Sequence, residues 1–242
     1  MKTYLKEVSM VFGGVALLTF LVTRLSALPK GAEYVPILVA ALFLFSAIKL
    51  AQRDTAGVDR YGLSLGGLLT PPDDAPDGQF SFVRDLVRAI PSALKEIGVA
   101  LLIAGVIFPP FAFAFRFWFG VRSPFSLGVP PDLASMVLAQ LIVVALPEEA
   151  FFRGYVQTRL TDAFPKTHRI VGVTVSVPAL LLQSVLFALI HCVVDGRVVH
   201  LAVFFPGLVF GILRAWRGGI GAALVFHALC NIYTEMLFGG IQ

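Results

Sequence analysis

Seven stretches of this chain are apolar for long enough to cross a lipid bilayer, and no other feature constrains its fold as tightly. They lie near residues 8–28, 34–50, 97–115, 134–153, 171–191, 198–214 and 219–238, close to the ~20 residues that an α-helix needs to span a hydrocarbon core. Backbone polar groups in that core must be satisfied within their own segment, so such runs become helices. The expected fold is all-α: a polytopic transmembrane helical bundle of about seven helices, with six and eight as the bounds. Only 14% of residues are charged and 57% are hydrophobic, whereas an average soluble domain is roughly 25% charged. The first run is read as a retained helix and not a cleaved leader, because Arg24 interrupts its end and no small-x-small site follows.

The chain reads as a single membrane domain, 1–242, without internal repeats. Residues 51–90 form its one sizeable polar excursion, with a Pro/Asp/Gly turn cluster in "LLTPPDDAPDG". Next to it, "FSFVRDLVRAIPSALKE" spaces Phe82, Leu86 and Ile90 a helical turn apart among Arg84, Arg88 and Lys95, the pattern of an interfacial helix on the cytoplasmic leaflet.

Seven spans place 14 of the 19 Lys and Arg on the side of the N-terminus and 5 on the other. The positive-inside bias then puts the N-terminus in the cytoplasm. It also sends the polar end of the fourth run, "RGYVQTRLTDAFPKTHR", to the cytoplasmic face, with any chemistry there close to the inner leaflet. The net charge of +4 calls for no nucleic-acid partner, since basic residues flanking spans meet anionic headgroups of the lipid bilayer. Cys192 and Cys230 lie in or beside apolar runs and imply no disulfide framework.

The polar residues inside the runs carry the functional signal. "ALPEEAFFRGYVQTRL" puts Glu148 and Glu149 behind Pro147 and ahead of Arg153. Neighbouring helical residues diverge by about 100°, so the two acids cannot face one partner. Glu149 and Arg153 are four apart in the order that favours an ion pair. Glu148 is left over, and an intramembrane acid without a local partner points to a task. One-turn spacing recurs in "FALIH", with Phe187 and His191 preceded by Gln183, and in "HALCN", with His227 and Asn231 followed by Glu235. Gly207 and Gly211 in "GLVFG" share one face and let helices approach closely.

The ordered set Glu148–Glu149–Arg153, Phe187–His191 and His227–Asn231 resembles the CAAX-protease and bacteriocin-processing family. Its members are intramembrane glutamic endopeptidases that include the Ras-converting type of prenyl-protein protease and the bacterial Abi proteins. The resemblance covers residues 148–231. It implies a glutamic-type protease needing no cofactor and no metal, in which Glu148 with His191 activates a water while His227 and Asn231 stabilise the oxyanion. Glu149, Arg153 and Phe187 then support, within catalytic helices spanning 134–238. It further implies an integral multi-pass protein of a bacterial inner membrane acting on a membrane-anchored protein or peptide, C-terminal sorting tails among the options. The residues fit those roles: carboxylate and imidazole are bases for water, and two N–H donors one turn apart can meet one developing charge.

Three other readings remain open at this level. Glu148, His191 and His227 are enough ligands for a zinc protease, although no H-E-x-x-H is present. Cys230 with His227 makes a cysteine dyad. A transporter or scaffold with a buried Glu/His relay would carry the same residues. One conflict is also visible. Simple spans put Glu148 near one end of the fourth helix and His191 at the far end of the fifth. Either Pro178 divides the fifth helix, or "CVVDGRVVH" dips into a water-filled cavity.

Overall fold

The computed structural model describes residues 1–55, 57–67 and 82–241. Seven helices in it are long and apolar enough to cross a membrane, and the chain is an integral multi-pass membrane protein. We label them α1 (Lys2–Thr23), α2 (Gly31–Ala51), α3 (Phe82–Trp118), α4 (Leu133–Ala163), α5 (Val177–Asp195), α6 (Val198–Arg217) and α7 (Gly221–Gly239). A two-residue turn links the short antiparallel strands β1 (His168–Ile170) and β2 (Val173–Val175) between α4 and α5.

Large apolar side chains face outward along the bundle, with Phe113 at 77% and Phe117 at 83% exposed. That is the normal surface of a protein whose solvent is lipid. Inside, the rings of Phe43, Phe151, Phe152, Phe187, Phe210 and Phe226 pack with small residues such as Ala47, Ala51, Ala222 and Ala223. The aromatic core joins α2, α4, α5, α6 and α7, and it encloses the polar residues described below.

Three helix boundaries differ from the sequence expectation. The segment read as a separate interfacial helix is continuous with the third span, from Phe82 to Trp118, through Pro91, Pro109 and Pro110. Proline interrupts membrane helices less than soluble ones because local adjustment and neighbours recover the freed carbonyls. The turn cluster "LLTPPDDAPDG" lies outside the described residues.

α4 does not stop near residue 153 but runs on to Ala163. The fifth span does not begin at residue 171. Residues 168–175 are the hairpin, and Pro178 sits in the first turn of α5, where its missing N–H costs nothing. The period-2, β-branched run "RIVGVTVSV" is apolar enough to pass for a span. Val171 and Gly172, both at positive φ, are the turn that its pattern disguises.

These shifts remove the conflict in depth. Ser176 at the head of α5 donates its hydroxyl to the carbonyl of Phe164 just past α4, at 2.6 Å, so the two helices share a starting level. Glu148 stands 15 residues back from Ala163 and His191 stands 14 on from Val177, near-equal climbs of ~20 Å at 1.5 Å per residue. Neither a divided α5 nor a dipping loop is needed.

Candidate active site

α4 is not a uniform α-helix. Gln140–Ala145 and Ala150–Val156 are π-helical, on either side of the α-helical turn Leu146–Glu149 that contains Pro147. Proline deprives the preceding turn of a donor and crowds its carbonyl, and widened π turns accommodate that insult. The result presents the two glutamates on neighbouring but different faces. Glu149 is fully buried, while the side chain of Glu148 keeps 17% of its exposure.

Glu149 and Arg153 form the expected ion pair, with Nη1 3.0 Å from Oε1 and both side chains wholly buried. Glu149 has a second partner that i,i+4 spacing does not reveal. Nδ1 of His227, on α7, lies 2.9 Å from the same Oε1 and donates to it. Glu149 therefore ties α4 to α7 as well as neutralising Arg153.

Glu148 meets both histidines. Its Oε2 is 3.8 Å from Nε2 of His191 and 3.8 Å from Nε2 of His227. These spans are too long for direct hydrogen bonds, and Oε2 is buried without a hydrogen-bond partner among the described residues. Nδ1 of His191 donates to the carbonyl of Phe187 at 2.8 Å, so in the neutral ring Nε2 carries the lone pair and aims it at Glu148.

Phe187 is central to this set. Its ring takes the Arg153 guanidinium at 4.0 Å and meets His191 edge-on at 4.6 Å and His227 at 5.8 Å. Phe210, which sequence reasoning missed, lies parallel to His227 at 4.8 Å and also contacts the Arg153 cation at 4.8 Å.

Asn231 stands apart from the triad. Its amide donates to Oε1 of Gln140 at 2.8 Å, linking α7 to the first π-helical stretch of α4. Gln140 also went unnoticed, although it is the lone polar residue of "MVLAQLIVVAL", two helical turns before Glu148.

Gly207 and Gly211 make room for the polar layer behind the ion pair. Gly207 accepts hydrogen bonds on its carbonyl from Gln183 at 3.1 Å and Arg153 at 3.4 Å, and Gly211 accepts one from Gln157 at 2.9 Å. A Cβ on Gly211 would stand 2.5 Å from Leu180 and 2.7 Å from Gln183, inside van der Waals contact.

A cavity of about 290 Å³ reaches Glu148 and His191 between apolar walls that include Val39, Phe43, Val143 and Ile190. Its lining extends to Thr23, Val35 and Pro36, where α1 ends and α2 begins, and to His200 near the start of α6. The expectation that α4 carries its chemistry at its last turns is thus not met: Glu148 is half-way along a helix of 31 residues. Among the described residues no group of three or more His, Cys, Asp or Glu has the arrangement to hold a metal ion.

Comparison with curated proteins and with solved structures finds no match. Comparison with protein families does: the stretch that contains Gln140, Glu148, Glu149, Arg153, Phe187, His191, His227 and Asn231, residues 130–233, matches the family model described as Rce1-like, type II CAAX prenyl endopeptidase Rce1-like.

Proposed function

We propose that the chain is an intramembrane endopeptidase of glutamic type, with α4 to α7 carrying the chemistry. The observation that supports this best is the placing of Glu148 Oε2 at 3.8 Å from both imidazole Nε2 atoms, at the floor of a cavity. A separation of that size accommodates a bridging water. One water hydrogen goes to Glu148 and the other to the lone pair on Nε2 of His191, leaving the oxygen to attack a peptide carbonyl.

As the new C–O bond forms, Glu148 takes the water proton and the carbonyl electron pair moves onto oxygen. His227 meets that charge through Nε2–H. Because Nδ1–H is committed to Glu149, Nε2 can donate only when the ring is an imidazolium. Asn231, whose amide has one hydrogen on Gln140 and a second to give, is the other donor. Collapse then breaks the C–N bond, and the amine leaves with the proton held by Glu148.

We further propose that the basic end of the bundle faces the cytoplasm. The substrate is a membrane-anchored protein or peptide, in keeping with a family of CAAX-type endopeptidases. The test is to compare protein termini in membranes carrying the wild-type chain with those carrying Glu148→Gln, by mass spectrometry. Termini present only with wild type are expected; identical termini would defeat the proposal.

A further inference from the structure

A second cavity, of about 320 Å³, lies where the end of α4, the hairpin β1–β2, the start of α5 and the last turns of α6 meet. Its lining passes from exposed Arg60, Thr167 and Thr174 to buried Gln157 and Arg153. Ten of the twelve lining residues are polar or charged, whereas the walls around Glu148 are mostly apolar. Glu148, His191 and His227 do not border it, so the proposed reaction leaves it without a use.

The charges around this cavity do not cancel. Asp162, its one carboxylate, accepts from Arg60 at 2.6 Å and from Arg159 at 3.4 Å. Arg60 also bonds Asp54, Arg159 also bonds Glu7, and Arg153 is paired with Glu149. Arg214 has no carboxylate partner among the described residues. Its Nη2 donates to the carbonyl of Arg60 at 3.1 Å, and its Nε is buried with no partner among them. Nε of Arg153, in a side chain with no exposure at all, is likewise unpaired. Buried guanidinium N–H groups cost free energy until something accepts from them.

Neutral groups extend the same field. The hydroxyls of Thr158, Thr167 and Thr174 have no partner among the described residues and are free to donate. α5 begins at the cavity wall with Ser176, whose hydroxyl goes to the carbonyl of Phe164 and does not cap the helix. The positive end of a 19-residue helix is thus left without a side-chain cap, an arrangement that favours anions. Gln157 adds a buried acceptor, its Oε1, with no partner, suited to the P–O–H of a hydrogen phosphate.

We infer that this cavity binds a phosphate oxyanion, either free or as the headgroup of an anionic phospholipid, with Arg214 as the principal cation and Arg153 at the inner end. The inference does not depend on the proteolytic reading. The volume is at the lower end of ligand pockets, which run from roughly 300 Å³ upward, and suits one phosphate group better than a peptide segment. The place, at the ends of membrane helices, is the level where basic pockets meet lipid headgroups. Because Arg153 borders the cavity and also holds Glu149 at 3.0 Å, a bound oxyanion shares the guanidinium that fixes Glu149 and, through it, His227.

The test follows the melting temperature of the purified full chain in maltoside micelles. Inorganic phosphate is expected to raise it with a saturable dependence, and chloride at the same ionic strength is not. Arg214→Gln should weaken the apparent affinity about tenfold or more, since a charged hydrogen-bond donor is lost. Lys166→Gln, at an exposed charge outside the cavity, should leave it unchanged. Should Arg214→Gln fail to fold, Thr158→Val and Thr174→Val remove donors without touching a charge, and each should weaken binding about twofold or more. Phosphatidic acid added to the micelles in phosphate-free buffer separates the two sources. A gain that the cavity variants diminish assigns the headgroup, and a gain from inorganic phosphate alone assigns the free ion. No gain from either probe overturns the inference and leaves the cavity to water. A gain that the cavity variants weaken no more than Lys166→Gln does also overturns it, because only general attraction to a basic surface then remains.

Discussion

Glu149 on α4 and His227 on α7 are joined by a 2.9 Å hydrogen bond within a wholly buried ion pair, so one carboxylate sets the position of an imidazole 78 residues away. The adjacent Glu148 has no such tie. Its two imidazole neighbours both stand off at 3.8 Å. On the proposed mechanism, the pair Glu148–Glu149 divides labour between reaction and support.

Substitution should expose that division. Glu148→Gln is expected to fold and extract normally and to lose turnover. Glu149→Ala leaves Arg153 buried without its carboxylate and frees His227, and the loss of one partner of a buried pair costs about 3–5 kcal/mol. Thermal unfolding in detergent should show a large drop for Glu149→Ala and almost none for Glu148→Gln. Wild-type turnover in purified Glu148→Gln would refute the assignment of the base.

The histidines should fail differently. His191→Gln removes the lone pair that accepts from water, and almost no activity is expected to remain. His227→Gln keeps an N–H donor and should exceed His227→Ala, since loss of one oxyanion donor costs about 10²–10³ in turnover. Single-turnover cleavage by these variants checks both. If His227→Gln were the complete lesion and His191→Gln the mild one, the roles would be exchanged.

Asn231 and Gln140 can be apportioned by a double-mutant cycle. If Asn231 acts on the oxyanion, Asn231→Ala lowers kcat with little change in KM, while Gln140→Ala has a smaller effect through Asn231's orientation. Equal losses in both single variants and in the double would show that the amide acts only as a brace between α7 and α4.

Gly211→Ala should destabilise the bundle. The new methyl meets Leu180 at 2.5 Å and Gln183 at 2.7 Å, and overpacking of this sort costs about 1–3 kcal/mol. Gly98→Ala, where a Cβ meets nothing within 4 Å, is the control. Equal melting temperatures for the two variants would contradict the close approach of α6 to α5.

Chelation distinguishes the remaining chemistry. EDTA or phenanthroline is expected to leave cleavage unchanged, and a thiol-alkylating reagent should do the same in a chain retaining Cys230. Inhibition that zinc reverses would return Glu148, His191 and His227 to the role of ligands.

The span count and the Glu149–Arg153 pair were legible because both follow from local spacing: roughly 20 apolar residues make a crossing, and acid and base four apart meet on one helix face. The depth of the site was not. Placing it required the end of α4, hidden in a polar stretch that continues the helix past the hydrocarbon, and the hairpin at residues 168–175, whose β-branched alternation is as apolar as a span. The second partner of Glu149 and the stacking of Phe210 on His227 were out of reach for a different reason. Each depends on which helix lies beside which, and no spacing within one helix encodes that. Gln140 was within reach: a lone amide in eleven residues of otherwise apolar helix is the same kind of signal that singled out Glu148.

At the cytoplasmic end as proposed, α4 has a different occupation. Arg159 bonds Glu7 on α1 and Asp162, Arg60 reaches Asp162 at 2.6 Å, and Tyr155 donates to Glu7 at 2.7 Å. Nearby, burial and a hydrogen bond to Asp54 push the Tyr61 hydroxyl up to about 12, which keeps it a neutral donor throughout the physiological range. Between Arg159 and Glu148 lies the π-helical stretch Ala150–Val156. Removing one residue there would turn everything beyond it by about 100°, swinging Arg159 away from Glu7 while leaving Glu148 where it is. That stretch also holds Arg153 and Tyr155, so a change of one residue within it would be felt both by the buried ion pair with Glu149 and by the mooring to Glu7.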